Sequence, residues 1–310
     1  MKDKRVLITG GAGFIGSNLA SELHSDNEVI VLDDLSNGDL RNLQGLKVRF
    51  IKASVTDKEL TNSLPKLDFI FHLAAVSSIQ LSVAEPERCF KVNMQGSHNI
   101  IMAALKHRAK LIFASSAAVY GDSQKLPLTE QTTARPLTPY AASKLAVEHF
   151  CEAYSLTHKL NYICLRLFNV YGPKQNPNND YSGVISKFIA NALANRNLVI
   201  YGDGSQTRDF VFVKDVVNAM LSAAESKING IFNIGSGISF SILNLAKMVI
   251  KLCNSNSQIR FEEAQKGDIK HSLAMITRAS KHLGYKPSVK LEQGLKQTIA
   301  YLMKNEIQKA

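Results

Sequence analysis

Thr9-Gly10-Gly11-Ala12-Gly13-Phe14-Ile15-Gly16 is the stretch that decides the fold. Gly10, Gly13 and Gly16 stand three apart, directly after an apolar run at residues 6–9 and directly before a helix-like run at 14–24. Gly10 permits a tight turn, Gly13 lets the backbone approach a pyrophosphate, and Gly16 allows a helix to lie close on a strand. Dinucleotide phosphates would sit on the helix N-terminus, at Phe14 and Ile15, where free N–H groups and the positive end of the dipole converge. A second apolar run, at 29–32, ends in Asp33-Asp34. Asp33 stands near the offset of about 20 residues at which an acid takes a ribose 2′-hydroxyl. A carboxylate there repels a 2′-phosphate, so the sequence predicts NAD rather than NADP.

Outward from that turn, apolar β-branched runs at 6–9, 29–32, 48–51, 69–73, 111–114 and 162–167 alternate with helix-like stretches at 14–24, 86–106 and 140–158. Strands that are apolar throughout and separated by helices indicate a parallel sheet covered on both faces. The expected fold is therefore α/β, a Rossmann-type doubly wound parallel sheet. Gly172-Pro173-Lys174-Gln175-Asn176-Pro177-Asn178-Asn179-Asp180 is rich in turn formers and marks a lobe boundary. Residues 1–172 are expected to form the dinucleotide-binding domain, completed by segments near 208–235. Residues 173–310 are expected to form a smaller α/β substrate-binding lobe, ending in a frayed basic tail at 303–310. No internal repeat is visible.

With 45% hydrophobic and 20% charged residues over 310 positions, the chain is an ordinary globular one, which excludes disordered and collagen-like readings. The net charge of +11 is spread without a basic run, and Trp is absent, so it suits a small anionic substrate and gives no platform for nucleic acid. Cys89, Cys151, Cys164 and Cys253 form no C-x-x-C pair, and the histidines show no metal-ligand spacing, so reduced thiols and no metal are expected. No apolar stretch approaches the roughly 20 residues that cross a bilayer. The start, Met1-Lys2-Asp3-Lys4-Arg5-Val6, runs straight into a strand without a targeting peptide, so a cytoplasmic location is expected.

Tyr140-Ala141-Ala142-Ser143-Lys144 puts a phenol and an ammonium at i and i+4 on one helix face. A phenol with its ordinary pKa of about 10 is a poor base at neutral pH. A neighbouring ammonium, with the charge of an oxidised nicotinamide, favours the phenolate. Ser115-Ser116-Ala117-Ala118-Val119-Tyr120-Gly121 follows the fifth strand run, at the carboxyl end where open α/β sheets bind ligands. A hydroxyl there can bond a substrate oxygen beside the phenolate. Ser116, Tyr140 and Lys144 are therefore the candidate catalytic group.

Taken in order, these motifs resemble the extended short-chain dehydrogenase/reductases, and among them the NAD-dependent nucleotide-sugar epimerases of the UDP-glucose 4-epimerase type. The resemblance runs end to end. It includes Asp33-Asp34-Leu35-Ser36-Asn37-Gly38, His72-Leu73-Ala74-Ala75, and Asn93 with Gly96 and Asn99. It continues through Leu165-Arg166-Leu167-Phe168-Asn169-Val170-Tyr171-Gly172-Pro173, Gly202-Asp203-Gly204-Ser205-Gln206-Thr207-Arg208-Asp209-Phe210 and Gly267-Asp268-Ile269. It implies that NAD is held by Gly10, Gly13, Phe14, Ile15, Gly16, Asp33, Asp34, Asn37, Gly38, Val55, Leu73, Ala74, Ala75, Asn93, Lys144 and Phe168. It implies substrate contacts from Ser116, Tyr140, Asn169, Val199, Tyr201, Arg208 and Asp268, with the diphosphate on Asn169 and Arg208 and uracil against Val199 and Tyr201. The alternative for Val199 and Tyr201 is an ordinary strand, and for Arg208 a surface ion pair with Asp209.

Dehydratases and decarboxylases of this superfamily carry acids beside the active-site Ser or Thr. Here Ala117 and Ala118 stand there and cannot exchange a proton. The resemblance then implies inversion at C4 of a UDP-hexose through a 4-keto intermediate, for UDP-glucose and UDP-galactose. Ser272, small at a gate position, extends this to UDP-GlcNAc and UDP-GalNAc. Open alternatives are a UDP-glucuronate 4-epimerase, a 4-reductase and an NAD-sensing binding protein. Ser54 replaces an acid that contacts adenine and is expected to accept the same hydrogen bond. Gln265 replaces a phosphate-binding arginine, with Lys266 or Lys270 as substitutes. The stretches 86–105 and 140–154 imply a homodimer through a helix bundle.

Overall fold

The computed structural model describes residues 1–177, 183–264 and 269–307. In chain order the strands are β1 (Arg5–Thr9), β2 (Glu28–Asp33), β3 (Arg49–Lys52), β4 (Phe69–His72), β5 (Lys110–Ser116) and β6 (Tyr162–Leu167). There follow β7 (Asn169–Tyr171), β8 (Leu198–Tyr201), β9 (Thr207–Phe212), β10 (Gly230–Ile234), β11 (Ser239–Ser241) and β12 (Ile259–Glu262). Seven of them form one sheet in the order β10-β6-β5-β4-β1-β2-β3, parallel at every pairing. Successive residues of a strand face opposite sides of a sheet. Val6 and Ile8 accordingly enter one core, with Val31, while Leu7 enters a second, with Ile30 and Leu32. Both faces are buried, which is why the strand runs are apolar throughout.

All six strand runs read from sequence are strands of this sheet, with ends shifted by one or two residues. The seventh, β10, comes from beyond the second lobe's first strands and pairs with β6. The stretch 86–106 is helical but changes pitch. An α-turn at Pro86–Cys89 leads into a π-helix at Phe90–Gly96 and then an α-helix at Ser97–His107.

The smaller lobe has a core of its own, in which Phe188, Ile189, Leu198, Ile200, Phe212, Leu245 and Leu295 pack together. One three-stranded sheet (β11-β9-β7) and one two-stranded sheet (β12-β8) border it. The expectation of a frayed tail from residue 303 is corrected, since the last helix runs Leu291–Ile307. Leu295, Ile299 and Leu302 anchor it by packing into the lobe core. Residues 308–310 lie outside the described part. The four cysteines are free, and Cys89, Cys151 and Cys164 are buried. Among the described residues no helix is long and apolar enough to cross a membrane.

Candidate active site

A cleft of about 1030 Å³ opens at the carboxyl ends of β1, β2, β4, β5 and β6. The strand order reverses there, between β1 and β4, the place where open α/β sheets take ligands. Its wall brings together Gly10, Gly13, Phe14, Ile15, Gly16, Asp33, Asp34, Asn37, Gly38, Val55, Leu73, Ala74, Ala75 and Phe168 with Ser116, Tyr140 and Lys144.

The glycine turn is shaped by contacts that exclude a side chain. Gly10 has φ +68°, and a Cβ there would stand 2.8 Å from the Ala74 nitrogen. A Cβ on Gly16 would stand 2.3 Å from the Gly10 carbonyl oxygen. Gly13 is the N-cap of helix Phe14–Leu23, and no side chain caps that end, so the helix N-terminus faces the cleft without a built-in acceptor. Such an end suits a phosphate. Asp33 is buried, and its carboxylate accepts from Ala12 N at 3.0 Å and Leu35 N at 2.9 Å. Burial pushes its pKa up, against those backbone bonds. Gly38 folds over it, since a Cβ there would meet the Asp33 Oδ1 at 2.7 Å. These backbone donors leave the carboxylate a further lone pair for a ribose hydroxyl. Asp34 is exposed and accepts from Ser36 N.

Tyr140 and Lys144 stand in the first turns of helix Pro139–His158, which Thr138 caps by accepting from Ala141 N at 3.2 Å. Ser116 ends β5 and accepts from Ala118 N at 3.2 Å, and its hydroxyl lies near enough to the Tyr140 phenol to favour the phenolate. The Lys144 Nζ lies 5.9 Å from the centre of the Tyr140 ring and 4.7 Å from that of Phe113. It donates to the Ala114 carbonyl at 2.8 Å. Burial lowers the Lys144 ammonium to about 8, against the pull of Cys89, Glu148 and Cys164. Burial also raises the Tyr140 phenol, and the nearby Ser116 hydroxyl offsets this in part. In this cleft burial is the largest influence on the phenol, and the ammonium 5.9 Å from its ring centre is turned to a backbone carbonyl.

Residues 6–235 match the NAD dependent epimerase/dehydratase family. The chain belongs to that family. It is an NAD-using nucleotide-sugar epimerase of the extended short-chain dehydrogenase/reductase group. A UDP-glucose 4-epimerase of Mycolicibacterium smegmatis is 38% identical over 307 residues, covering 96% of this chain and 98% of that one. A UDP-N-acetylglucosamine 4-epimerase from Methanobrevibacter ruminantium, solved with UDP-N-acetylmuramic acid, superposes with a TM-score of 0.95 at 38% identity, over 98% of this chain and 100% of that one. A UDP-N-acetyl-alpha-D-glucosaminuronate decarboxylase of Bacillus cytotoxicus is 36% identical over 320 residues, 98% of this chain and 99% of that one. The family thus spans several reactions at nearly equal identity, and the residues beside Ser116 have to separate them.

Within this epimerase fold, several motif residues brace the cleft from behind. Asn93 is not on the wall. Its amide accepts from Val76 N at 2.7 Å and donates to Val76 O and to Ser143 Oγ. Gly96 leaves room for Val55, whose side chain a Cβ would meet at 2.5 Å, and Asn99 donates to Val55 O at 3.1 Å. Asn93, Gly96 and Asn99 therefore aim Val55 and Val76, and the π-turn sets their facing. His72 lies between Thr9 Oγ1 at 2.7 Å and Ser97 Oγ at 2.8 Å, and burial holds its pKa down at about 3, so it is neutral. Ser54 lines the cleft, but its oxygen already accepts from Thr56 N and Thr56 Oγ1, so what remains free is a donor. The expectation that Ser54 accepts from adenine is corrected accordingly.

Of the substrate-side residues, Ser116 and Tyr140 are on the main wall, and Asn169, Val199, Tyr201 and Arg208 are not. Asn169 opens β7 and is exposed. It pairs with Phe210 in the parallel ladder, so Arg208, two residues earlier on β9, shares its face. Arg208 donates to Thr207 O at 2.9 Å and to Lys270 O at 3.4 Å. Asp209 turns to the opposite face and takes Ser236 N, Gly237 N and Ala274 N, which removes the ion-pair alternative for Arg208. On β8, Leu198 and Ile200 enter the core while Val199 is half-buried and Tyr201 is 42% exposed. Asp268, with Gln265 and Lys266, lies outside the described residues. Sequence reasoning missed Lys174, whose ammonium ties Ser17 O, Ser21 Oγ and Asn42 O across the cleft. A lone lysine in a turn-rich loop carries no signal of such a role.

Proposed function

We propose that this chain inverts the C4 hydroxyl of a UDP-hexose through a 4-keto intermediate, interconverting UDP-glucose with UDP-galactose and UDP-GlcNAc with UDP-GalNAc. The observation that carries the reading is the convergence of Ser116, Tyr140 and Lys144 on the wall that also holds the glycine turn and Asp33. The open helix N-terminus and the carboxylate under Gly38 fit a dinucleotide without a 2′-phosphate. Bound NAD supplies a reversible hydride acceptor. Tyr140 takes the proton of the C4 hydroxyl and later returns it, while Ser116 holds the same oxygen. Lys144 would hold the nicotinamide ribose and stabilise the phenolate. Ala117 and Ala118 carry nothing that moves a proton, so the chemistry stays at one carbon, unlike that of a decarboxylase.

Asn169 and Arg208, on one face of the β7–β9 pair, would grip the diphosphate, Arg208 through its planar fork. Val199 and Tyr201, on the outward face of β8, would flank uracil, and Asp268 would complete the sugar site. Ser272, buried beside Thr207, is small, and the named substrate of the Methanobrevibacter ruminantium protein supports an N-acetylated sugar here. Residues 1–172, completed by segments near 208–235, would bind the dinucleotide and residues 173–310 the nucleotide-sugar; Val216, Val217 and Met220 join the core of the large sheet beside β10. Phe90, 62% exposed, and Phe150, 41% exposed, would close a homodimer through paired helices.

The test is to incubate the purified protein with a panel of UDP-sugars and no added cofactor, then identify products. Interconversion of the two sugar pairs is expected. Turnover only when soluble reduced cofactor is then added, and is consumed stoichiometrically, would favour the 4-reductase, and conversion of UDP-glucuronate alone would move the substrate to uronates. No turnover of any sugar would refute the assignment.

A further inference from the structure

Glu148 stands one turn beyond Lys144 on helix Pro139–His158 and is fully buried. One of its oxygens accepts a hydrogen bond from the hydroxyl of Ser115, the neighbour of Ser116. Arg166 of β6 grips the same carboxylate, Nε at 3.0 and 3.2 Å and Nη2 at 2.6 Å. The guanidinium lies 4.7 Å from the centre of the Tyr120 ring, at the end of the short helix that Ser116 caps. The phenol of Tyr120 in turn donates to Asn233 Oδ1 on β10 at 2.6 Å. One carboxylate thus ties together the end of β5, the Tyr140–Lys144 helix and β6. A buried ion pair is a weak source of stability, because desolvation offsets its attraction, whereas an orphaned buried charge is very costly. The pair resists separation, and its placement between these three elements calls for a role other than stability.

We propose that Glu148, fixed by Arg166, is a positioning residue that holds Ser116 and the Tyr140–Lys144 pair at their working spacing. The proposal rests on the catalytic reading of those three residues. Glu148 also bears on the charge of Lys144. The groups facing that ammonium are Tyr140 and Glu148 on its own helix, Cys89 from the Pro86–Cys89 turn, neutral His72 from β4, and Cys164 from β6. Among these Glu148 is the sole anion.

Two variants test this. Ser115→Ala removes one hydrogen bond and leaves the ion pair intact. Glu148→Leu/Arg166→Met replaces both charges with apolar groups of similar size, a change that buried pairs often tolerate. For each, kcat, KM, retained NAD and the pH profile are measured with UDP-galactose, alongside Tyr140→Phe. The expected result is a fall in kcat of about tenfold or more, as misplaced reacting groups produce. KM and NAD content should stay within about twofold, and the alkaline limb of the double variant should move to lower pH. Parental kcat and pH profile in both variants, with Tyr140→Phe inactive, would overturn the positioning role alone. Parental activity in Tyr140→Phe would instead overturn the catalytic reading. Loss of NAD together with activity in Ser115→Ala would mark a general structural role and also count against the proposal.

Discussion

Replacing Gly16 by alanine asks whether the glycine turn is shaped by contact. Gly16 lies within helix Phe14–Leu23 and has no unusual backbone angle. The whole effect is therefore steric. The added Cβ would stand 2.3 Å from the Gly10 carbonyl oxygen and 2.7 Å from the Gly11 Cα, about an ångström inside ordinary contact. Both partners are backbone atoms of the turn itself and cannot rotate away. Overpacking costs about 1–3 kcal/mol, and a clash with backbone belongs at the upper end. The better helix propensity of alanine offsets up to about 1 kcal/mol, leaving a net loss near 2 kcal/mol. For a chain of this size that corresponds to a fall in Tm of roughly 4 °C. The larger effect is on NAD. Relief of the clash moves the helix N-terminus away from the phosphates, so Kd should rise by more than about tenfold. Thermal unfolding with and without NAD, and titration calorimetry of NAD, measure both quantities. Gly284→Ala is the control, with φ +64° but nothing within 4 Å of its Cβ. It should cost about 1 kcal/mol from the left-handed backbone alone and leave NAD binding unchanged. Parental Tm and NAD affinity in Gly16→Ala, or equal loss of NAD affinity in Gly284→Ala, would refute the reasoning.

Tyr140→Phe should fold, keep its NAD and lose about 10²–10⁴-fold in kcat, as removal of a proton-transfer group does; turnover assays with NAD content as the internal check decide it. Because burial lowers Lys144 to about 8, its ammonium is lost as pH rises through that value, so kcat/KM should fall above about pH 8. In Lys144→Arg, which stays charged, the alkaline limb should move up, and an unmoved limb would assign it to another group. The same lowered pKa makes the folded chain release that proton before the unfolded chain does, so stability from this group rises with pH between about 8 and the ordinary lysine range; urea midpoints across that window check the sign. On the proposed homodimer, the parent should sediment as a dimer and Phe90→Glu/Phe150→Glu as a monomer.

Much of the large sheet was legible because burial on both faces forces an unbroken apolar run, as Val6, Leu7 and Ile8 show by entering two different cores. The glycine turn was legible because only glycine fits where Gly10 and Gly16 crowd the backbone. The Ser116, Tyr140 and Lys144 group was legible as residue types at fixed offsets. What was not legible is which way polar atoms turn. Nothing in the sequence says that Asn93 bonds Val76 rather than facing the cleft, because a π-turn sets its direction. Ser54 looks like a free acceptor until Thr56 occupies its oxygen. Glu148 reads as one polar position on an amphipathic helix and Arg166 as an interruption in a strand, and only the fold brings them together. In the smaller lobe the run at 198–201 was read as a strand, but runs such as Asn169–Tyr171 and Ile259–Glu262 were not, since three or four residues give too few alternations to register.

The central claim is that hydride leaves and returns at one sugar carbon while Tyr140 moves only the hydroxyl proton. The most direct measurement is to supply UDP-glucose deuterated at C4, with no added cofactor, and examine the UDP-galactose formed. Deuterium retained in full at C4 is the expected result. Deuterium lost to solvent, or found on another carbon, would contradict the account.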